Sequence, residues 1–211
     1  MPSVAALYDI HGNLAALEAV LAEVPADATI VVGGDVSSVG EEPSECLERL
    51  RGLGDRVLWV RGNSDRELTP GEEGLAPAEV VDEARSKLTA EQVAFLHGLP
   101  PTQRVGDVLY CHASPRNDVD IFTERTPEEH IRFLFEGLDA AVVVCGHTHT
   151  QFERQVGAVR VINAGSVGLP YEDEPGAYWL LDLVHRRTPY EGAELKASRE
   201  EAVAEFTERG L

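Results

Sequence analysis

The chain has no surplus of positive charge. Its 18 Lys and Arg face 37 Asp and Glu, a formal net charge of −19. That balance makes stable binding to a nucleic-acid backbone or an anionic membrane unfavourable, since both attract basic surfaces. It leaves a small phosphorylated substrate open, because a bound cation reverses the local field. No stretch is long and apolar enough to cross a bilayer. The opening MPSVAALYDI lacks a basic flank and runs at once into Asp9 and His11, unlike a secretory signal. Cysteine is scarce: Cys46, Cys111 and Cys145 are scattered and odd in number, and two of them sit in the apolar runs VLYCHA and VVVCGH. Buried, reduced thiols in a cytoplasmic protein are expected. Internal repeats and low-complexity linkers are also missing, and nothing in the sequence fixes an oligomeric state.

What is present is enough apolar material for one domain, 43% of 211 residues. The first third alternates two periods. SVAALYD, ATIVVGGD and RVLWVRGN read as strands, and NLAALEAVLAEV and PSECLERLRGL as the helices between them. Strand–helix–strand–helix–strand is the pattern of a parallel sheet with helices packed on it. Residues 66–100 then break the alternation. A loop rich in Gly, Pro and Glu leads into two helices, AEVVDEARSKL and TAEQVAFLHGL, the second with Thr89 and Gln92 as a capping box. Leaving the chain at the end of GNSD, this segment reads as an inserted helical cap over a site, restricting substrate size.

The second half is strand-rich. TQRVGDVLYCHA reads as a hairpin about Gly106-Asp107, and AAVVVCG, TQFERQVGAVRVINAG and GAYWLLDL as further strands. TPEEHIRFLFEGL reads as a helix with Thr126 as cap, Pro127 in the first turn and Glu129 closing a capping box. SREEAVAEFTERGL reads as a terminal helix. Two mixed sheets with helices outside are expected, all within residues 1–211 as a single domain.

The chemistry collects where strands end. The first strand ends in Asp9 and His11, two apart and so on one side of an extended chain, with Gly12 allowing a sharp turn. GGD ends the second in Asp35. GNSD ends the third in Asn63 and Asp65. CHA brings His112, and GHTH brings His147 and His149. Carboxylate, amide and imidazole without thiolate suit Mn, Fe, Zn or Ni. A carboxylate such as Asp35 has two oxygens and can bridge two cations.

The blocks DIH, GGD, GNSD, CHA and GHTH, in this order, resemble the calcineurin-like metallophosphoesterase superfamily. CHASPR and NAGSVGLP are similar to a small bacterial and archaeal phosphodiesterase branch. The resemblance implies a four-layer α/β/β/α sandwich and a site for two divalent transition-metal ions, manganese first among Mn, Fe, Zn and Ni. It implies that Asp9, His11, Asp35 and His149 hold one ion, and that Asp35 bridges to a second held also by Asn63, His112 and His147. The catalytic assignment falls on Asp35, Asn63 and His112, around a hydroxide that attacks phosphorus from between the ions. Hydrolysis of small phosphodiesters or nucleotide-like substrates follows. The alternatives are a phosphomonoesterase or protein phosphatase, or a catalytically weak metal-binding scaffold of the same fold.

Four further residues are candidate substrate contacts. Arg116 and Asn117 follow His112 closely and either contact phosphate or shape the turn. Ser64 stands where many members of the superfamily have a histidine that assists the leaving oxygen. His97 closes the inserted helix and is a candidate to supply that proton instead. Asp65 holds either the Asn63 loop or a neighbouring histidine.

Overall fold

In β1 (Val4–Leu7) successive side chains go to opposite faces, and both faces are buried. Ala5 and Leu7 join an apolar cluster under helices, while Ala6 and the following Tyr8 join one shared with a second sheet. A strand covered on both sides needs a layer on each. The computed structural model, which describes residues 3–72, 74–194 and 197–210, supplies both.

The first sheet has five strands in the order β10 (Val184–Thr188), β9 (Ala177–Leu181), β1, β2 (Thr29–Val32) and β3 (Val57–Trp59). β1, β2 and β3 are parallel; β9 and β10 are antiparallel additions. The second, also of five strands, runs β4 (Thr102–Val105), β5 (Val108–Cys111), β6 (Val142–Cys145), β8 (Val159–Ala164) and β7 (Gln151–Val156). The sheets meet through Tyr8, Val31, Val60 and Leu180 on one side and Tyr110, Val144 and Ile162 on the other. Helices α1 (Leu14–Glu23) and α2 (Pro43–Arg51) bury Leu17, Val20, Leu47 and Leu50 against the outer face of the first sheet. After α3 (Asn63–Glu67), α4 (Ala78–Ser86) and α5 (Ala90–His97), helix α6 (Glu128–Phe135) buries Ile131, Leu134 and Phe135 on the second sheet. This is the expected α/β/β/α sandwich. The terminal helix is α7 (Arg199–Arg209); Leu211, included in the sequence reading of that helix, lies outside the described residues.

The structure revises several local expectations. Asn63 is not in a loop but opens α3, a helix of one turn. Helices α4 and α5 sink Ala84 and Leu96, with the adjacent Leu99, into the cluster shared with α1 and α2. They extend the outer helical layer beside α2, and among the described residues they line neither of the cavities that His11 and His112 open onto. Thr126 does not cap α6. Pro127 occupies that position, and the Thr126 hydroxyl instead accepts from the Thr123 N–H. The Thr89–Gln92 box does cap α5. All three cysteines are buried and unpaired. Strand β10 was not anticipated: its residues are mostly exposed, and its turn runs through Asp182 and Leu183 at positive φ without a glycine to announce it. No helix among the described residues is long and apolar enough to cross a membrane.

Candidate metal centre

The parallel strands deliver their C-terminal ends to one edge, where α/β sheets carry ligands. The candidate ligands lie just beyond those ends, not within the strands. Asp9, His11, Asp35, His147 and His149 all adopt positive φ, between 48° and 69°. So the common aim of Asp9 and His11 comes from two left-handed residues in a turn rather than from strand alternation. Such backbone costs about 1–3 kcal/mol per residue and persists only where surrounding structure imposes it. Here the loops hold each other. The N–H groups of Asp9, His11 and Gly12 donate to the carbonyls of Gly34, Asp35 and Val36, and Gly168 N–H donates to Asp9 O.

Asp9 sits at the middle. Its Oδ2 accepts from the His147 N–H at 2.9 Å. Its Oδ1 is buried and has no hydrogen-bond partner. Around that orphan oxygen stand the Nε2 atoms of His149 at 3.5 Å, His11 at 3.9 Å and His112 at 4.0 Å. Asp35 presents one oxygen to each of two imidazoles: Oδ2 lies 3.9 Å from His11 Nε2, and Oδ1 lies 3.6 Å from His112 Nε2. Two tight groups result, Asp9–His11–His149 and Asp9–Asp35–His112. His147 stands beside the second, its ring centroid 5.0 Å from that of His112.

Tautomers decide what those nitrogens offer. His112 Nδ1 lies 2.9 Å from the Gly33 carbonyl, and His149 Nδ1 lies 2.8 Å from the Leu169 carbonyl. A carbonyl only accepts, so each neutral ring carries its proton on Nδ1 and turns a lone pair inward at Nε2. His112 Nε2 then faces Asn63 Oδ1 at 3.0 Å, and His149 Nε2 faces His11 Nε2 at 3.1 Å. Lone pairs gathered on a buried orphan carboxylate oxygen repel unless a cation takes the space between them. On that observation the residues fit divalent metal.

The electrostatics agree. Burial pushes the His11 imidazole down to about 3, with His149 adding to it. Burial, then the nearby His112, does the same to His147, to about 3. Burial would raise the Asp9 carboxyl, but the surrounding imidazoles outweigh it and hold it below the carboxylate range. Asp35 is raised by burial, with the Asp9 charge adding to it. Burial would lower His112, but the Asp35 and Asp9 carboxylates raise it. An anionic Asp9 beside neutral His11 and His147 is what a cation site requires, while Asp35 and His112, both raised, are pushed toward their protonated forms until a cation takes the place of the proton.

Residues behind the ligands fix their aim. Ser64 donates from both N and Oγ to Asp35, each at 2.8 Å, so it holds that carboxylate. Asp65 accepts from the N–H groups of Asp35, Val36 and Gly62, which settles its role as a brace between the two loops; burial and then the Asp35 charge push it up to about 7. Sequence reasoning missed Glu67, which accepts from Asn63 Nδ2 at 2.9 Å and so turns the amide oxygen toward His112. The i, i+4 spacing from Asn63 within GNSDRE was its only signal. It also missed Ser38, 2.8 Å from His11 Nδ1, and Tyr171, stacked on His149 at 5.1 Å between centroids.

Of the candidate substrate contacts, Arg116 lines a cavity of about 390 Å³ next to His112, and Asn117 lines it too. The Asn117 side chain is occupied in the turn, accepting from Val119 and Asp120 N–H. His97 is not brought to the ligands. It lines a separate cavity with Leu68 and Val93, because the apolar face of α5 fixes the helix to the outer layer.

Residues 3–186 match the calcineurin-like phosphoesterase superfamily domain. Phosphodiesterase YfcE of Escherichia coli strain K12 is 28% identical over 185 residues, 82% of this chain and 84% of that protein. An uncharacterized protein of Methanocaldococcus jannaschii, MJ0912, is 28% identical over 186 residues, 83% of this chain and 72% of that one. A metallophosphoesterase structure from Sphaerobacter thermophilus superposes with a TM-score of 0.73 at 25% identity, covering 90% of this chain and 89% of that one. With this match over most of its length and this cluster of candidate ligands, the chain belongs to the calcineurin-like phosphoesterase superfamily.

Proposed function

We propose that the chain is a phosphodiesterase that hydrolyses small phosphate diesters with two divalent ions. Asp9, His11, Asp35 and His149 would hold one ion; Asp35, Asn63, His112 and His147 would hold the other. When bound, such ions supply Lewis-acid stabilisation of the phosphoryl oxygens and an activated water. The chain's own residues supply the rest. The Gly33 and Leu169 carbonyls keep His112 and His149 in the tautomer that accepts a cation. Ser64 fixes both oxygens of Asp35, which lets that carboxylate serve two positions at once. The preference for diesters draws support from the relative named a phosphodiesterase. The observation that carries the reading is the unpartnered, buried Asp9 Oδ1 amid the Nε2 atoms of His11, His112 and His149.

The test compares bis-p-nitrophenyl phosphate with p-nitrophenyl phosphate after reconstitution with Mn, Zn, Fe or Ni. Metal content near two ions per chain and a higher kcat/KM for the diester are expected. A higher kcat/KM for the monoester would assign a monoesterase, and metal binding without turnover of either ester would assign a scaffold.

A further inference from the structure

Two cavities flank the metal centre, and their charges differ. The one His11 opens onto, of about 320 Å³, is edged by Glu41 and Glu42. The one His112 opens onto, of about 390 Å³, is lined by Arg61, Arg66 and Arg116. Three guanidiniums around one cavity stand out in a chain with 18 basic residues against 37 acidic ones.

One carboxylate, Asp118, lines the same cavity. It is already committed. Arg66 donates to both of its oxygens, at 2.8 and 3.0 Å, in a bidentate pair. Burial would raise the Asp118 carboxyl, and the bond from Arg66 outweighs it and holds the group low, with Arg61 contributing. That leaves the charges of Arg61 and Arg116 without a paired carboxylate among the described residues. Arg61 donates from Nη1 to the His97 carbonyl at 3.0 Å, but its Nε is buried and unpartnered. A buried guanidinium donor without an acceptor is costly unless a ligand supplies one. Arg116 is exposed, with its guanidinium carbon 5.1 Å from the centre of the Phe133 ring. A planar cation held by an aromatic face still has its donors for an anion.

We propose that this cavity is a subsite for a second phosphate group on the substrate. Arg61 and Arg116 are its specificity residues, and the preferred substrates are diesters whose retained side carries a further phosphate. The inference rests on the diesterase reading above and names its substrate class. The volume lies in the range of small-molecule sites. The acidic cavity on the His11 side disfavours such a group there, which gives the substrate one orientation.

The test uses two esters with the same leaving group, 2-phosphoethyl p-nitrophenyl phosphate and 2-methoxyethyl p-nitrophenyl phosphate, the second having no hydroxyl to attack its own phosphorus. The phosphate-bearing ester should have the lower KM, by about tenfold or more, from charge-assisted bonds to two arginines. In Arg61→Gln/Arg116→Gln that ratio should fall toward one. Arg116→Gln alone, on an exposed loop, should lower it in part and serves if the double variant does not fold. Independently, calorimetry should show inorganic phosphate binding to the metal-free protein and about tenfold weaker binding to the variants. Equal KM values for the two esters in the native protein, or a ratio unchanged by the variants, would overturn the subsite and leave the diesterase reading standing. If neither ester is hydrolysed but phosphate binding is lost with the arginines, the diesterase reading fails and the anion subsite stands.

Discussion

On the two-ion reading proposed above, Glu67→Ala should weaken one metal position and spare the other. Glu67 is buried, 3% exposed, and among the described residues its hydrogen bond to Asn63 is its link to the candidate ligands. Its Oε1 accepts from Asn63 Nδ2 and from Leu75 N–H, both at 2.9 Å, and Oε2 accepts from Ala76 N–H at 3.1 Å. The two main-chain donors are only part-buried, so water can replace much of what they lose. The amide of Asn63 is buried and cannot be rescued that way. A hydrogen bond to a charged group contributes about 1.5–3 kcal/mol. Without it the amide is free to rotate and no longer keeps its oxygen 3.0 Å from His112 Nε2. Loss of a partner behind a metal ligand typically costs 10–100-fold in affinity. At about 1.4 kcal/mol per factor of ten, that matches the bond removed. Calorimetric titration of metal-free protein with Zn should therefore show about 10–100-fold weaker binding at the position assigned to Asn63 and His112. The position assigned to His11 and His149 should be little changed. Glu67→Gln keeps an oxygen for Asn63 and should recover most of the affinity. Identical isotherms for Glu67→Ala and the parent would refute the argument. So would a Glu67→Gln variant as weak as the alanine, since charge rather than aim would then be the cause.

Gly62→Ala would place a Cβ against the Asp35 carboxylate and main-chain N, and should lose stability by about 1–3 kcal/mol in urea while lowering metal content. Tyr171→Ala, which removes the ring stacked on His149, should cost about 0.5–1.5 kcal/mol beyond lost burial, read by thermal melting against Tyr171→Phe. The Asp118 carboxyl lies below its ordinary value in the fold, so its pairing with Arg66 stabilises above the unfolded pKa of about 3.8 and is lost as pH falls through the folded one. Unfolding followed from pH 6 to pH 2 should show a shallower acid loss in Asp118→Asn than in the parent, and parallel curves would exclude that contribution. Val39 is 55% exposed at φ 67°, a conformation a β-branched residue rarely adopts, so Val39→Asn should raise stability by about 0.5–1 kcal/mol.

The layers were legible because periodicity reports burial. Runs such as VAAL and VVVC are buried on two faces, and Leu17, Val20, Leu47 and Leu50 recur at helical spacing on one. The ligand candidates were legible because polar metal-binding types stood at the ends of those runs. What pattern could not carry was partner choice. Ser64 reads as a missing acid in the sequence, yet its two bonds to Asp35 make it a holder of a carboxylate. Residues 66–100 read as a lid because they leave the chain at the site edge. Their apolar positions, Ala84, Leu96 and Leu99, are the same type whether they cover a cleft or a sheet, and only packing distinguishes the two. Strand β10 went unread since an exposed edge strand has little hydrophobic alternation to show.

The left-handed turns at Asp9, His11, Asp35, His147 and His149 carry the deeper lesson. Taken alone, each conformation is unfavourable for a residue with a Cβ. They persist because every turn is tied to another. The turn after β1 bonds to the turn after β2, and that one hangs from the Asp65 carboxylate. His147 N–H is held by Asp9 itself, and the His149 carbonyl by Tyr171 N–H. The lattice crosses both sheets, so neither half of the chain can impose the geometry alone. That dependence explains why the orphan oxygen of Asp9 sits where it does. Its partner oxygen and its backbone carbonyl are fixed by the second half of the chain, its backbone N–H by the first, and the remaining lone pairs face the imidazoles. A fold that accepts this much local cost at five side chains of metal-binding type keeps those side chains aimed by its own bonds, so that a cation bound there would order little further chain.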